Sequence, residues 1–337
     1  MRMLVATTLL LVACPLHAEE DYHRYLPSET KVVFTLHVGR LSETDRGQGQ
    51  TMARDAYKKF VCTTLAEADV LPTSDIEQIV LALPYAGTLN GLVVISGKID
   101  RKMFEQQMSR AAKGGRGVTS KRMGTPPVVV YRCRIEEKTM LALAPGLEKI
   151  PPLVRGLVVP QDVHIAALDD RTLVVSLCGL PALTRALRSR PAKTALRIPA
   201  ALATLLREKH EGDTSTLILM EDSLHPGLQL VADDETKETF EQFDYIRFHV
   251  RGGKTTEIET VVQGKSAELG STLEKKAKRV VGVIREQLPT AMPDATRREV
   301  IDSLLEAFRV TRKDGRVTIA GSMSEADAKK FIAGGKK

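Results

Sequence analysis

The residues of this chain best suited to acid–base or metal chemistry are its histidines. Six lie beyond the first twenty residues: His23, His37, His164, His210, His225 and His249. No two of them are three or four residues apart, so none forms the helical pair that binds zinc in many metalloenzymes. His37, His164 and His249 lie within or at the edge of predicted strands, and their convergence would create a site. Isolated half-buried or surface histidines are the simpler expectation, so the sequence assigns no metal ligand.

Two glycine–lysine stretches approach the pattern of a phosphate-binding loop without completing it. Gly91 and Gly97 are one residue too far apart for that loop, and Ile99 replaces its Ser or Thr. The stretch 253–255 (Gly-Lys-Thr) has Phe248 where the first glycine of the pattern belongs. A loop with a missing or shifted glycine cannot present its backbone amides to phosphate. The sequence therefore predicts no cofactor and no cofactor-binding residue.

The signatures of catalytic serines and paired carboxylates are also incomplete. No Gly-x-Ser-x-Gly sequence occurs, so the nucleophile turn of the α/β-hydrolases is missing. Asp169-Asp170 lies in a predicted turn, and Asp233-Asp234 lies in a predicted acidic loop. General acid–base catalysis needs two carboxyl groups that face one substrate in different environments. We therefore assign no catalytic residue, and a non-catalytic protein is favoured over an enzyme.

The first eighteen residues have the features of a secretory leader. Arg2 makes the start basic, and an apolar run follows from Leu4 to Ala13. The run is too short to span a bilayer, which needs roughly 20 apolar residues. Leu16-His17-Ala18 predicts cleavage after Ala18, so residues 1–18 form a signal peptide and the protein is secreted or periplasmic. In the alternative, Leu11–Cys14 is a lipoprotein box and Cys14 carries the lipid anchor.

The composition is that of a globular chain with an aliphatic core. Hydrophobic residues make up 43% of the chain and charged residues 27%, and the net charge is +7. A basic excess allows an anionic polymer or lipid surface as partner. Proteins that bind single-stranded nucleic acid also need aromatic stacking platforms. With 4% aromatic residues and no Trp, a nucleic-acid partner is disfavoured, and no stretch after residue 18 predicts a transmembrane segment.

The cysteine pattern excludes a disulfide scaffold. Four cysteines occur, and Cys14 lies in the leader. Three remain, so at most one internal bridge can form. Cys133 and Cys178 each lie near the end of a predicted strand and are the favoured pair, whereas Cys62 lies on the apolar side of a predicted helix and is expected to be buried.

Four segments share one order of elements: strand, turn, strand, glycine, capped helix. The strand pairs are predicted at 76–83 with 91–96, 163–168 with 172–177, 243–250 with 255–262, and 308–312 with 316–320. The aligned glycines are Gly97, Gly179, Gly264 and Gly321, and the expected helix caps are Asp100, Ser266 and Ser324. A helix that begins directly after a hairpin can cover the apolar face of that hairpin.

From these units we predict an α+β fold of two domains, residues 25–190 and residues 196–335. Each domain is expected to be a mainly antiparallel sheet with helices packed on one face. Pro191 interrupts two helical segments at the predicted boundary. Three stretches are predicted loops or linkers: 113–127, 144–162 and 221–241.

The segment Tyr25–Val38 (YLPSETKVVFTLHV) is similar to the LP-x-x-T-x-V-V opening of exported proteins of planctomycete-type bacteria, a group of unknown function. The stretches 95–100, 168–174 and 317–322 also resemble that group. This resemblance implies secretion and an α+β layout. It supplies no catalytic residues to transfer.

Three functions remain open. The favoured one is a non-catalytic envelope protein that binds a partner or belongs to an assembly. An exported enzyme or small-ligand binder would be supported by a cluster of His37, His164 or His249 with carboxylates. A binder of anionic polymer or lipid would show salt-sensitive retention on such a surface.

Overall fold

In the computed structural model, twelve strands form one sheet. The residues described are 22–40, 73–85, 91–114, 117–125, 127–134, 162–177, 179–189, 198–208, 212–223, 238, 241–252, 255–291, 295–324, 326–327 and 330. The strands are β1 Val32–Leu36, β2 Thr73–Leu83, β3 Leu92–Ile99, β4 Val118–Met123, β5 Val128–Arg134, β6 Asp162–Ala167, β7 Thr172–Ser176, β8 Asp213–Met220, β9 Phe243–Arg251, β10 Thr255–Gly264, β11 Arg309–Lys313 and β12 Arg316–Ser324. The helices are α1 Arg101–Lys113, α2 Leu180–Ser189, α3 Ala200–Arg207, α4 Ala267–Ala291 and α5 Ala295–Ala307.

The sheet has the order β11-β12-β10-β9-β8-β1-β2-β3-β7-β6-β5-β4. Every neighbouring pair is antiparallel. β1 lies in the middle, where Thr35 is opposite Val80 of β2 on one side and Thr216 of β8 on the other. The α+β class with a mainly antiparallel sheet is thus confirmed.

Helices cover both faces of the amino-terminal part of the sheet. Successive residues of a strand point to opposite faces, and along β7 Leu173 and Val175 belong to one apolar cluster whereas Val174 belongs to the other. Phe104 and Met108 of α1 pack in the first cluster, and α2 and α3 pack in the second. The expectation of helices on one face only is therefore not met. Since β7 is buried along its whole length, each of its faces needs a covering layer.

The second apolar cluster joins residues on both sides of the predicted domain boundary. Leu183 and Leu187 of α2 precede that boundary, and Ile198 and Leu202 follow it. The sheet is continuous across the same point. The division into residues 25–190 and 196–335 stays a prediction.

The four predicted hairpins are present as β2–β3, β6–β7, β9–β10 and β11–β12. Two expected helix caps, Asp100 before α1 and Ser266 before α4, are confirmed, and Ser324 makes the hydrogen bond expected of a cap. Asp100 Oδ1 accepts a hydrogen bond from the Met103 amide at 2.9 Å, and Ser266 Oγ accepts one from the Leu269 amide at 3.2 Å. Ser324 Oγ accepts from the Asp327 amide at 3.1 Å. Each cap satisfies an amide that has no partner within its own helix.

The four aligned glycines have different roles. Gly179 alone lies between a strand and a helix, with a φ of +83° that favours glycine. Gly97 and Gly321 lie inside β3 and β12, and Gly264 is the last residue of β10. At Gly321 a Cβ atom would lie 2.6 Å from Phe308 Cδ1, so this glycine allows the Phe308 ring to approach the strand. The prediction that all four glycines bend the chain at the exit of a hairpin is therefore wrong.

Candidate functional site

Three adjacent strands bring charged side chains to one face of the carboxy-terminal part of the sheet. Along β9, His249 and Arg251 are two residues apart and so share a face. The register places Glu259 of β10 opposite His249, and Glu257 opposite Arg251. On the other side of β9, Asp213 of β8 is opposite Arg251. Since residues opposite each other in antiparallel strands share a face, the five side chains form one polar cluster, called the His249 cluster below.

The centre of the His249 cluster is the guanidinium of Arg251. Its Nε lies 3.2 Å from Oδ1 of Asp213, and its Nη1 lies 3.2 Å from Oε2 of Glu257. Its Nη2 lies 3.2 Å from Nε2 of His249. All three nitrogens of this guanidinium are thus engaged by groups of the protein. The largely buried carboxylate of Asp213 gains a charged partner, which buried charges require.

The imidazole of His249 is buried, and its Nε2 lies 3.6 Å from Oε1 of Glu259 as well as 3.2 Å from Arg251 Nη2. A guanidinium only donates hydrogen bonds, so Nε2 of His249 accepts from Arg251. The proton of the neutral ring is then on Nδ1, which faces Oδ2 of Asp213 at 4.0 Å. Burial lowers the pKa of His249 below its usual value, and the pull of Asp213 and Glu259 in the opposite direction is smaller. His249 is therefore neutral near pH 7, and the lone pair of its basic nitrogen is already used.

A groove of about 270 Å³ lies beside the His249 cluster. Its lining comes from β9, β10, β12 and the junction of α5 with β11: His249, Arg251, Glu257, Ile258, Glu259, Ala307, Arg309, Ala320, Gly321 and Ser322. The only hydroxyl on this wall, that of Ser322, is on β12, with β10 between it and His249. Strands two positions apart are about 10 Å from each other, far beyond the reach of a nucleophile–base pair. The groove can hold a small polar molecule but lacks an activated nucleophile among its lining residues.

Arg247, on the same face as His249, has a structural partner at the end of α3. Its Nη1 lies 2.9 Å from Oε2 of Glu208, and its Nη2 donates to the Glu208 carbonyl oxygen at 3.1 Å. Glu208 directly follows the last residue of α3, where backbone carbonyls lack helical partners and a positive charge is stabilising. Arg247 thus attaches α3 to the sheet.

The three strand histidines do not converge, but His249 clusters with the carboxylates of Asp213 and Glu259, the arrangement stated above to favour an exported enzyme or small-ligand binder. The His37 amide donates to the Thr214 carbonyl at 2.8 Å, so the end of β1 lies beside the start of β8 and near Asp213. His164 lies on β6, five strands from β8 in the sheet. The side chain of His23 and the residues His210 and His225 lie outside the described part of the chain.

The surroundings of His164 and Cys133 keep both groups uncharged. Burial lowers the pKa of His164, and Asp162 opposes this shift. On the neighbouring strand Cys133 is buried with a free thiol, and burial followed by the charge of Asp162 raises its pKa to about 12. Reactive cysteines have lowered pKa values, so this thiol is inert. The favoured Cys133–Cys178 bridge is therefore wrong, because the thiol of Cys133 is free. Cys62 and Cys178 lie outside the described residues.

The remaining candidates are structural or lie outside the described residues. Asp169 Oδ1 accepts from the Arg171 amide at 2.9 Å, which confirms the turn at Asp169-Asp170. Gly97-Lys98 is part of β3. Gly253-Lys254 and Asp233-Asp234 are outside the described residues.

Within the described part of the chain, no group of three or more His, Cys, Asp or Glu side chains could hold a metal ion. Over the same residues, no helix is long and apolar enough to cross a membrane.

The sequence carried one usable signal for the His249 cluster. In the β9 sequence, Arg247, His249 and Arg251 alternate with apolar residues, and Glu257 and Glu259 alternate in the same way along β10. A hairpin turned at 252–254 brings these two charged rows together with opposite signs. Asp213 gave no such signal, because its contact depends on the pairing of β8 with β9 across 38 residues.

No protein-family model and no curated protein matches the chain. Among solved structures, crystal form I of TP0453 matches with a TM-score of 0.45 and 11% sequence identity, over 94% of this chain and 98% of that chain.

Proposed function

We propose that the chain is an exported, non-catalytic protein of the cell envelope that acts by binding a partner. One observation carries this proposal: His249 and Arg251, at the centre of the polar groove, are engaged with each other and with neighbouring carboxylates. Nε2 of His249 accepts from Arg251, and Arg251 in turn is bound to Asp213 and Glu257. A catalytic base needs an available lone pair within reach of the proton that it removes. A network of this kind stabilises the sheet instead.

Cross-linking of the tagged protein in its native envelope tests this proposal. The wild-type protein and its His249→Gln variant are expected to give the same discrete cross-linked species, since His249 is outside the proposed function. Incubation of both proteins with envelope extracts gives the opposing test. A product that forms with the wild type and is missing with His249→Gln would show catalysis and contradict the proposal.

Export is part of the proposal and is supported by the pattern of residues 1–18. The intact mass of the protein recovered from its own cells separates the alternatives. Cleavage after Ala18 gives a chain that begins at Glu19, and a lipoprotein gives a chain that begins at Cys14 with the added mass of acyl chains. A mass that includes residues 1–18 would contradict export through this leader.

We also propose that the sheet is assembled from repeated strand–strand–helix units grouped in two domains, 25–190 and 196–335. The shared order of β2–β3–α1, β6–β7–α2 and β9–β10–α4 supports the repeats. Limited proteolysis of the full chain within residues 190–197 tests the domains. Two fragments that separate and keep their circular dichroism would support them, and fragments that remain bound to each other or unfold would contradict them.

A small polar ligand is the second candidate function, and the groove beside the His249 cluster favours it. Arg309 and Glu259 lie on its walls with opposite charges. A thermal-shift screen with amino acids, sugars and small organic acids tests this candidate. A ligand of this groove is expected to stabilise the wild type and to lose its effect in Glu259→Gln.

A further inference from the structure

The strand β4 is the last strand at one end of the described sheet. β5 pairs with its inner side, and among the described residues no strand pairs with its outer side. Thr119, Ser120, Lys121 and Arg122 have exposed side chains. An edge strand of this kind presents unpaired N–H and C=O groups that another extended chain can bind. The sequence placed this segment in a predicted loop, 113–127, and the structure corrects that expectation.

The arginines of the β11 edge have partners within the chain, unlike the positive side chains of the β4 edge, and Lys313 of β11 is exposed. On β11, Arg312 Nε lies 3.1 Å from Oε2 of Glu274, and Arg309 donates to the carbonyl oxygens of Glu306 and Phe308 at 2.7 and 3.1 Å. On β4, neither Lys121 nor Arg122 has an ion pair or hydrogen bond with any residue that the structure describes. The β4 edge therefore carries two positive charges available to a partner.

A cavity of about 490 Å³ lies between the end of β4 and α2. Its lining is Lys121, Arg122, Met123, Gly124, Thr125, Thr184 and Leu187. The Thr184 hydroxyl donates to the Leu180 carbonyl at 2.8 Å, so the helix side of the cavity offers mainly the methyl groups of Thr184 and Leu187. The cavity thus combines an apolar wall with a positively charged rim.

The register of β4 shows which side chains face this cavity. Met123 and Lys121 are opposite Val128 and Val130, which pack in the same apolar cluster as α2. Arg122 is opposite Val129, which packs on the α1 side of the sheet. A strand added to β4 would therefore place successive residues beside Lys121, Arg122 and Met123 on alternating faces.

We propose that β4 binds, by strand addition, an extended acidic segment of a different protein. Two consecutive acidic residues of that segment lie beside Lys121 and Arg122, and an adjacent large apolar side chain enters the cavity next to Met123. Backbone hydrogen bonds supply affinity in this mode of recognition, and side-chain pockets supply specificity. This binding mode deepens the proposed binding function and rests on it.

The charges of both edges argue against a second copy of this chain as the occupant. Pairing of β4 with β4 places Lys121 and Arg122 of two copies together, and pairing of β4 with β11 places them beside Arg309, Arg312 or Lys313. Like charges directly opposite each other on paired strands are destabilising. An acidic segment brings the opposite charge to the same positions.

Fluorescence anisotropy with a labelled peptide tests the proposal. The probe is a ten-residue peptide of Thr and Val with Leu-Glu-Glu at its centre, together with a form N-methylated at alternate residues and a form with Leu-Lys-Lys. We expect saturable binding of the first peptide, which weakens as salt concentration rises. The other two peptides are expected not to bind, since one lacks donors for the strand ladder and the other repels the edge.

The variant K121E/R122E is expected to weaken peptide binding by about tenfold or more, because it reverses both positive charges of the β4 edge. Lys313→Glu, at the exposed opposite edge, is the matched control and is expected to leave binding unchanged. Thr184→Leu narrows the cavity without altering charge and is expected to weaken binding as well. Equal thermal unfolding of these proteins shows that the changes act on binding.

Binding of the N-methylated peptide as tightly as the parent, or unchanged binding by K121E/R122E, would overturn the proposal. A further measurement tests whether vesicles of anionic phospholipid bind the protein and compete with the peptide. If they bind the wild type and displace the peptide completely, the charges of β4 serve a membrane surface and strand addition fails. If K121E/R122E still gives the cross-linked species in the native envelope, the proposed binding function survives and the β4 mode alone is rejected.

Discussion

Arg251 and Asp213 are joined across the paired strands β9 and β8, with Nε of the guanidinium 3.2 Å from Oδ1 of the carboxylate. The Asp213 side chain is 5% exposed and the Arg251 side chain 30% exposed, so the carboxylate depends on this partner more than the guanidinium does. Loss of Arg251 leaves a buried charge without compensation, which is among the costly defects in a folded protein.

Replacement Arg251→Met is expected to lower the free energy of unfolding by about 2–4 kcal/mol, because Asp213 keeps its buried charge and loses its partner. Urea denaturation followed by circular dichroism measures the change. The double variant Asp213→Asn with Arg251→Met is expected to recover part of the loss, since the buried charge is gone.

The matched control Arg132→Met breaks the Arg132–Asp162 pair, whose side chains are 57% and 27% exposed. Its cost is expected to stay below about 1 kcal/mol, and equal losses for the two arginine variants would contradict the role of burial.

The stability of the protein is expected to fall between pH 7 and pH 5 in a histidine-dependent manner. Burial lowers the pKa of both His164 and His249 in the folded state. Below the unfolded value of about 6.5 the unfolded chain binds protons that the folded chain excludes, so acid favours unfolding. Over this window each histidine lowers the free energy of unfolding by up to about 1.4 kcal/mol for each pH unit of acidification. This decrease ends when the pH reaches the folded pKa of that histidine. Denaturation of His249→Gln over the same pH range is expected to show a shallower decline, and an unchanged slope would contradict the burial of a neutral His249.

Replacement Gly321→Ala is expected to destabilise the protein by about 1–3 kcal/mol. The added Cβ would meet the Phe308 ring at 2.6 Å, and the ring lies against β12 at that point. Combination with Phe308→Leu is expected to relieve part of the clash, because the smaller side chain leaves room for the methyl group. Gly282→Ala is the matched control. It lies within α4, where an added Cβ would meet no described atom within 4 Å, and alanine is a better helix former by up to about 1 kcal/mol. Thermal unfolding of the four proteins checks the opposite signs.

The hairpins and helix caps were predictable because their signals are local. Asp100 and Ser266 precede α1 and α4 at the position where a side-chain acceptor is needed, and alternating apolar residues marked the strands. β4 was missed since its sequence VTSKRM buries only Val118, so an edge strand in a basic, glycine-rich stretch has no apolar alternation. The pairing of β1 with β8 was also missed, because it joins distant residues and neither strand encodes its partner. For the same reason the sequence indicated the charged rows of β9 and β10 but not the contact of Arg251 with Asp213.

The thiol of Cys133 is expected to be unreactive in the native protein. Burial raises its pKa to about 12, so almost no thiolate is present near pH 8. A variant in which Cys14, Cys62 and Cys178 are replaced by serine leaves this single thiol. Ellman's reagent is expected to label it only in denaturant, and rapid labelling without denaturant would contradict its burial.

The central position of β1 has a consequence for how the chain is made. One of its neighbours, β2, follows soon after it, whereas the other, β8, is synthesised much later, and the side chain of Lys31 reaches the backbone of Asp222 across 191 residues. During synthesis from the amino terminus, one edge of β1 therefore stays without its partner β8 until nearly two thirds of the chain has been translated. Such late closure of long-range contacts slows folding.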